Sequence, residues 1–135
     1  MKFSCLRIIT NDMIGMTKFY QEIFGIPPVR YSEDYIEFVD FETPACTLAI
    51  GSKRSMDLYG AGAAKPASNY TAILEFEVED VDDERTRLKG VVSKYEMEPT
   101  TQPWGNRSML FRDPEGNLIN FFTPVADFAV AKSNV

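Results

Sequence analysis

The chain reads as one short pattern written twice, and a pattern that returns in register leaves few folds open. Residues 3–10 (Phe-Ser-Cys-Leu-Arg-Ile-Ile-Thr) have strand character and stop at Asn11-Asp12, short side chains suited to capping the helix that Met13–Phe24 predicts. Gly25 ends that helix and Pro27-Pro28 bar its continuation. Three short strands are then expected at about 28–32, 35–41 and 46–51, with turns at Ser32-Glu33-Asp34 and Glu42-Thr43-Pro44. A stretch rich in Gly, Ala, Pro and Ser, about 52–68, reads as a connector, either a plain linker or a flap. The order then returns: a strand at 70–79, Glu79-Asp80 capping a helix through Lys89, Gly90 closing it, and strands near 91–98, 104–112 and 117–124. Asp113-Pro114-Glu115-Gly116-Asn117 joins the last two as a turn, and 125–135 reads as a tail or short helix.

Aligning the capping residues Asp12 and Asp80 pairs Cys5 with Ile73, Arg7 with Glu75 and Tyr20 with Leu88. Leu48-Ala49-Ile50 likewise matches Ile119-Asn120-Phe121 after a short loop insertion, so an internal duplication is the simplest account. The fold class is α+β: two β-α-β-β-β repeats, with repeat 1 at about 3–51 and repeat 2 at about 70–124, in one domain of 135 residues. Period two along the strands sorts Leu6, Ile8, Leu48, Ile50, Leu74, Phe76, Val78, Ile119 and Phe121 onto the face that packs on the helices. The opposite face carries Cys5, Arg7, Thr47, Ala49, Ile73, Glu75, Leu118, Asn120 and Phe122, a mixed set that suits a concave wall better than a packed interior.

Composition narrows the chemistry. The net charge is −6 and no Lys/Arg cluster offers a stripe for phosphates, which argues against nucleic acid as a partner. No apolar run reaches the length of a spanning helix or a signal peptide, so no membrane is expected and the cytoplasm is the default home. Cys5 and Cys46 form no metal-binding spacing and are read as free thiols. Most telling, the chain has no histidine, the commonest metal ligand and the usual proton carrier near neutral pH.

Phe19-Tyr20 with Phe24-Gly25, Phe76-Glu77-Val78-Glu79-Asp80-Val81-Asp82, and above all Trp104-Gly105-Asn106-Arg107-Ser108 running into Phe111-Arg112-Asp113-Pro114-Glu115-Gly116-Asn117-Leu118-Ile119-Asn120-Phe121 give the chain its resemblance to a known group. It resembles the vicinal oxygen chelate superfamily, which holds glyoxalase I, bleomycin-resistance and fosfomycin-resistance proteins and extradiol dioxygenases. The resemblance covers about residues 3–124 and implies a cup-shaped mixed sheet with helices on its outer face. It also implies a homodimer, with the repeats paired within one chain or across two. In relatives that hold a divalent metal, the ligands come from the first and last strands of each repeat; the matching positions here are Cys5, Ala49, Ile73 and Asn120. Ala49 and Ile73 have no donor atom, and a thiolate with a neutral amide is a poor set for Mg²⁺, Mn²⁺ or Fe²⁺ and too few for tight Zn²⁺, so no metal and no cofactor are expected.

The candidate ligand-binding residues are Cys5, Arg7, Glu75, Trp104, Arg107, Asn120 and Phe122. Cys5 reads as a small wall residue or a thiol nucleophile, and no histidine is present to activate it. Arg7 and Glu75 hold equivalent places and are expected to form an ion pair in the cup, filling the space of a metal or meeting a charged substrate. Trp104, Phe122, Tyr59, Met109 and Phe24 are candidates for an aromatic and sulfur-rich lining, with Arg107 a further polar contact. The function expected is metal-free binding of a small molecule of aromatic or cationic character. The alternatives are a superfamily enzyme, of lyase or dioxygenase type, with an atypical metal set or metal-free catalysis through Glu75, Cys5 or a tyrosine, and a domain serving assembly or regulation.

Overall fold

Asp12 starts the first helix as its position before the apolar run predicts: its Oδ1 accepts from the Gly15 N–H at 2.9 Å. In the computed structural model, which describes residues 1–30 and 37–125, this helix α1 (Met13–Phe24) follows strand β1 (Cys5–Thr10). Gly25 ends it in the left-handed conformation, φ 68°, with its N–H on the Gln21 carbonyl. Strands β2 (Val29–Arg30), β3 (Phe38–Glu42) and β4 (Thr47–Ser52) complete the first repeat. They form a four-stranded mixed sheet in the order β1-β4-β3-β2, with β1 parallel to β4 and the other pairs antiparallel. The expected turn at Ser32-Glu33-Asp34 lies outside the described residues.

The connector is not the loop its composition predicted. Residues Lys53–Gly60 form helix α2, with Ser52 as N-cap accepting from Ser55 N–H and a Lys53–Asp57 ion pair one turn apart at 2.5 Å. Glu37, buried at the foot of β3, anchors this start: its carboxylate accepts from the Ser52 hydroxyl and from Arg54, and its carbonyl accepts from the Ser52 N–H. Among the helix's described side chains Leu58 is exposed and Met56 only half-buried, so they form no buried stripe for a periodicity reading to find.

The second repeat repeats the order with β5 (Ile73–Glu77), α3 (Val81–Arg87), β6 (Tyr95–Thr101), β7 (Asn106–Arg112) and β8 (Leu118–Pro124). Its sheet runs β5-β8-β7-β6, again with the outer pair β5-β8 parallel. Asp80 caps α3 through its Oδ1, which accepts from Asp82 and Asp83. The helix ends at Arg87, short of the expected Lys89, before the chain turns through Gly90. The Asp113–Asn117 turn is closed by the Asp113 carboxylate, which accepts from the Glu115 and Asn117 N–H groups at 2.9 Å each and from the Asn117 side chain at 2.7 Å.

The chain divides into two units, Met1–Asn69 and a second beginning at Tyr70. Each has its core between helix and sheet. Met16, Phe19, Tyr20 and Ile23 of α1 bury against Val39, Phe41, Leu48 and Ile50; Val81 and Leu88 bury with Met109, Phe111, Ile119 and Phe121. Burying such side chains contributes roughly 1.5–3 kcal/mol each. Phe111 and Phe121 meet edge to face at 5.1 Å, and Phe24 stacks on Phe41 at 5.2 Å. Leu6, on the edge strand β1, remains more than a third exposed although period two assigned it to the core.

Candidate functional site

The duplication extends to hydrogen-bond register. Cys5 pairs with Thr47 and Arg7 with Ala49 in the first sheet; Ile73 pairs with Leu118 and Glu75 with Asn120 at the equivalent places in the second. One step further, Asp40 lies beside Ala49 and Leu110 beside Asn120. Both rows lie on the face turned away from the buried helix-side residues, because side chains alternate along a strand.

In the second unit this face is hollow. A cavity of about 360 Å³ opens over β5, β8 and β7, walled by apolar Ile73, Met97, Leu110, Phe122 and Trp104 and by polar Glu75, Gln102, Asn106, Ser108 and Asn120. That is the lower end of the roughly 300–1,000 Å³ typical of small-molecule sites. Four expected residues meet here: Glu75, Trp104, Asn120 and Phe122. Asn120 Nδ2 donates to Glu75 Oε1 at 3.2 Å, while Asn120 Oδ1 is closed to solvent and has no partner among the described residues. A buried acceptor left so costs about 1–3 kcal/mol.

Trp104 stands at the rim, 61% exposed, in the turn between β6 and β7. That turn is closed by Gln102 N–H on the Asn106 carbonyl at 2.7 Å and Gly105 N–H on the Gln102 carbonyl at 3.1 Å. Gly105 has φ 100°, a conformation a side chain would strain, so glycine there lets the turn carry the indole outward.

Arg107 does not reach the cavity. It alternates with Asn106 and Ser108, and its guanidinium bonds Asp82 of α3 twice, at 2.7 and 3.0 Å. The Arg107 guanidinium holds the Asp82 carboxyl below its ordinary value of 3.8. Met109 is likewise corrected from lining to core, fully buried on the helix side, and Phe24 belongs to the first unit's core against Phe41. The Tyr59 side chain and the 126–135 tail lie outside the described residues. Met97, Ser108 and Leu110 line the cavity without having been singled out, and period two from Asn106 along β7 was the signal for the last two. Met97 follows a register shift in β6 that no local pattern announces.

Cys5 and Arg7 lie in the first unit. Cys5 is an exposed free thiol. Arg7 lies 5.9 Å from the centre of the Phe38 ring, and its Cδ stands 3.1 Å from where a Cβ on Gly51 would be. The arginine stem therefore occupies the space over Gly51, and Ala49 beside it is fully buried.

The donor set at the four metal-equivalent positions does not fit a divalent ion. Ala49 and Ile73 offer no donor atom, Asn120 offers one neutral amide oxygen and Cys5 one thiol, a set too small and too mixed to hold a divalent ion. Among the described residues no three His, Cys, Asp or Glu side chains gather as a metal site. None of their helices is long and apolar enough to cross a membrane.

The profile of the Glyoxalase/Bleomycin resistance protein/Dioxygenase superfamily matches residues 2–121. The chain belongs to that superfamily. It is 28% identical over 126 residues to the uncharacterized protein YraH of Bacillus subtilis (strain 168), covering 90% of this chain and 98% of that one. Among solved structures, a glyoxalase/bleomycin resistance protein/dioxygenase family enzyme from Burkholderia phytofirmans PsJN matches with TM-score 0.80 at 20% identity, over 93% of this chain and 100% of that one. A lactoylglutathione lyase from Agrobacterium tumefaciens matches with TM-score 0.63 at 19% identity, over 90% and 92%. At these identities the structural likenesses establish the superfamily's α+β fold of repeated units.

Proposed function

We propose that this superfamily member binds a small organic molecule with an aromatic or other flat apolar body, and does so without a metal. The observation that carries the reading is the wall of the second unit's cavity. It combines an exposed indole, a half-buried Phe122 and aliphatic side chains with a few polar groups, the usual make-up of an organic-ligand site. The metal-equivalent positions in this wall are Ile73, which is apolar, and Asn120, whose neutral amide supplies a single weak donor. The proposed setting is a cytoplasmic homodimer, for which sedimentation velocity should report twice the chain mass of 15.3 kDa.

Trp104 is the chain's single tryptophan, so its emission reports on this cavity. Titration with 4-tert-butylbenzyl alcohol should shift that emission saturably. Ser108→Phe installs the residue that the first repeat has at the equivalent register, Phe38, and should fill the cavity and remove the shift; Ser108→Ala should keep it. Equilibrium dialysis against Mn²⁺, Ni²⁺ and Zn²⁺ should show no stoichiometric uptake. One equivalent bound by the wild type and lost in Asn120→Leu would instead favour a superfamily enzyme with an atypical metal set.

A further inference from the structure

Among the described residues ten line the cavity, and Glu75 is the only charged side chain of these. Of the three lining amides, two have an N–H already spent: Asn120 on Glu75, and Gln102 on the Met97 sulfur at 3.2 Å. Arginines beside this unit's sheet are committed elsewhere: Arg85 to Glu98, Arg107 to Asp82, and Arg112 to Glu96 and the Gly116 carbonyl. The wall holds several uncharged donors and acceptors, and its one charge is negative. An anionic ligand would meet Glu75 with no cation among the described lining residues to offset it, whereas a cation would meet both a carboxylate and aromatic faces. The net charge of −6 adds a long-range field of the same sign.

Resting on the binding reading above, we infer that the ligand is a protonated amine carried on an apolar or aromatic body, its N–H groups shared between the Glu75 carboxylate and the Asn120 amide oxygen. Asn120 Oδ1 is the unsatisfied acceptor of this wall. It is closed to solvent while the amide N–H holds Glu75, so reaching the ligand requires the amide to turn about its Cβ–Cγ bond. An ammonium group that takes over the contact to Glu75 releases the amide for that turn, in which the oxygen gains the donor it lacks and the amide N–H groups take its closed place. Trp104 at the rim then covers the apolar body.

Three probes of nearly one shape separate charge from shape: 4-tert-butylbenzylammonium, 4-tert-butylbenzyl alcohol and 4-tert-butylbenzoate, each titrated at neutral pH against Trp104 emission. The expected order is ammonium, alcohol, carboxylate, with the ammonium at least about tenfold tighter than the alcohol, the scale of one charge-assisted contact. Glu75→Gln should erase the ammonium preference, so that ammonium and alcohol bind alike. Asn120→Leu should reduce the preference severalfold, and circular dichroism spectra matching the wild type should establish that both variants are folded. Equal binding of ammonium and alcohol, or tightest binding of the carboxylate, overturns the amine assignment and leaves the binding reading standing. If no probe moves the emission, both fall.

Discussion

In the first repeat the row of side chains across the face away from the helices reads Arg7, Ala49, Asp40; in the second, the matching row reads Glu75, Asn120, Leu110. The next row reads Ile9, Gly51, Phe38 in one and Glu77, Phe122, Ser108 in the other. Bulk has changed sides. Phe38 faces a glycine over which Arg7 lies, whereas Ser108 faces Phe122 and part of the second unit's cavity opens beside it. Two copies of one sheet have thus diverged on the face that does not hold the fold together. Helix-side positions must interdigitate at near-crystalline density, so they resist change; the other face tolerates exchange of volume and charge.

The largest expected effect tests the conserved side of that comparison. Phe41→Ala and Phe111→Ala remove fully buried rings from equivalent cores, and each should cost about 3–5 kcal/mol in equilibrium urea unfolding. A loss in one repeat much below the other would mean that the helix sides are not equivalent.

A smaller and opposite pair of effects is expected at the metal-equivalent position on β4 and β8. Ala49→Leu forces bulk into a fully buried place beside Arg7 and should destabilise by about 1–3 kcal/mol. Asn120→Leu removes an unsatisfied acceptor at the edge of a cavity and should be neutral or stabilising by up to about 1 kcal/mol. Urea midpoints at constant slope decide it, and a loss of equal size at both positions would break the contrast.

The smallest effect concerns Arg107. Because Asp82 titrates below 3.8 in the folded chain, the Asp82–Arg107 pair contributes stability above that pH, and the contribution drains away as pH falls through the folded value. The melting-temperature gap between wild type and Arg107→Gln should therefore be constant above pH 3.8 and close below it. The same variant should leave probe binding in the cavity unchanged, since Arg107 faces α3.

Much of the architecture was legible in single residues. Asp12, Gly25, Asp80 and the Asp113–Asn117 turn act on backbone groups two to four positions away, so their roles follow from spacing alone. Helix α2 escaped notice because its signal was a cap and one ion pair, Ser52 and Lys53–Asp57, inside a stretch whose composition suggested a loop. Arg107 was expected as a polar contact for the ligand, yet along β7 it is Asn106, Ser108 and Leu110 that line the cavity, with Trp104 in the turn before them. Parity of position decides a face, and nearness in the chain does not.

What local chemistry settled, then, was the repeat, the caps, the turns and the absence of imidazole, since each depends on residue types and short separations. What required the assembled fold was the pairing of Glu75 with Asn120, 45 positions apart, the diversion of Arg107 to Asp82, 25 positions away, and the hollow beside Ser108. Those depend on which strands lie side by side and how volume is shared among them, and a cavity is a property of the gap between side chains that no one of them encodes.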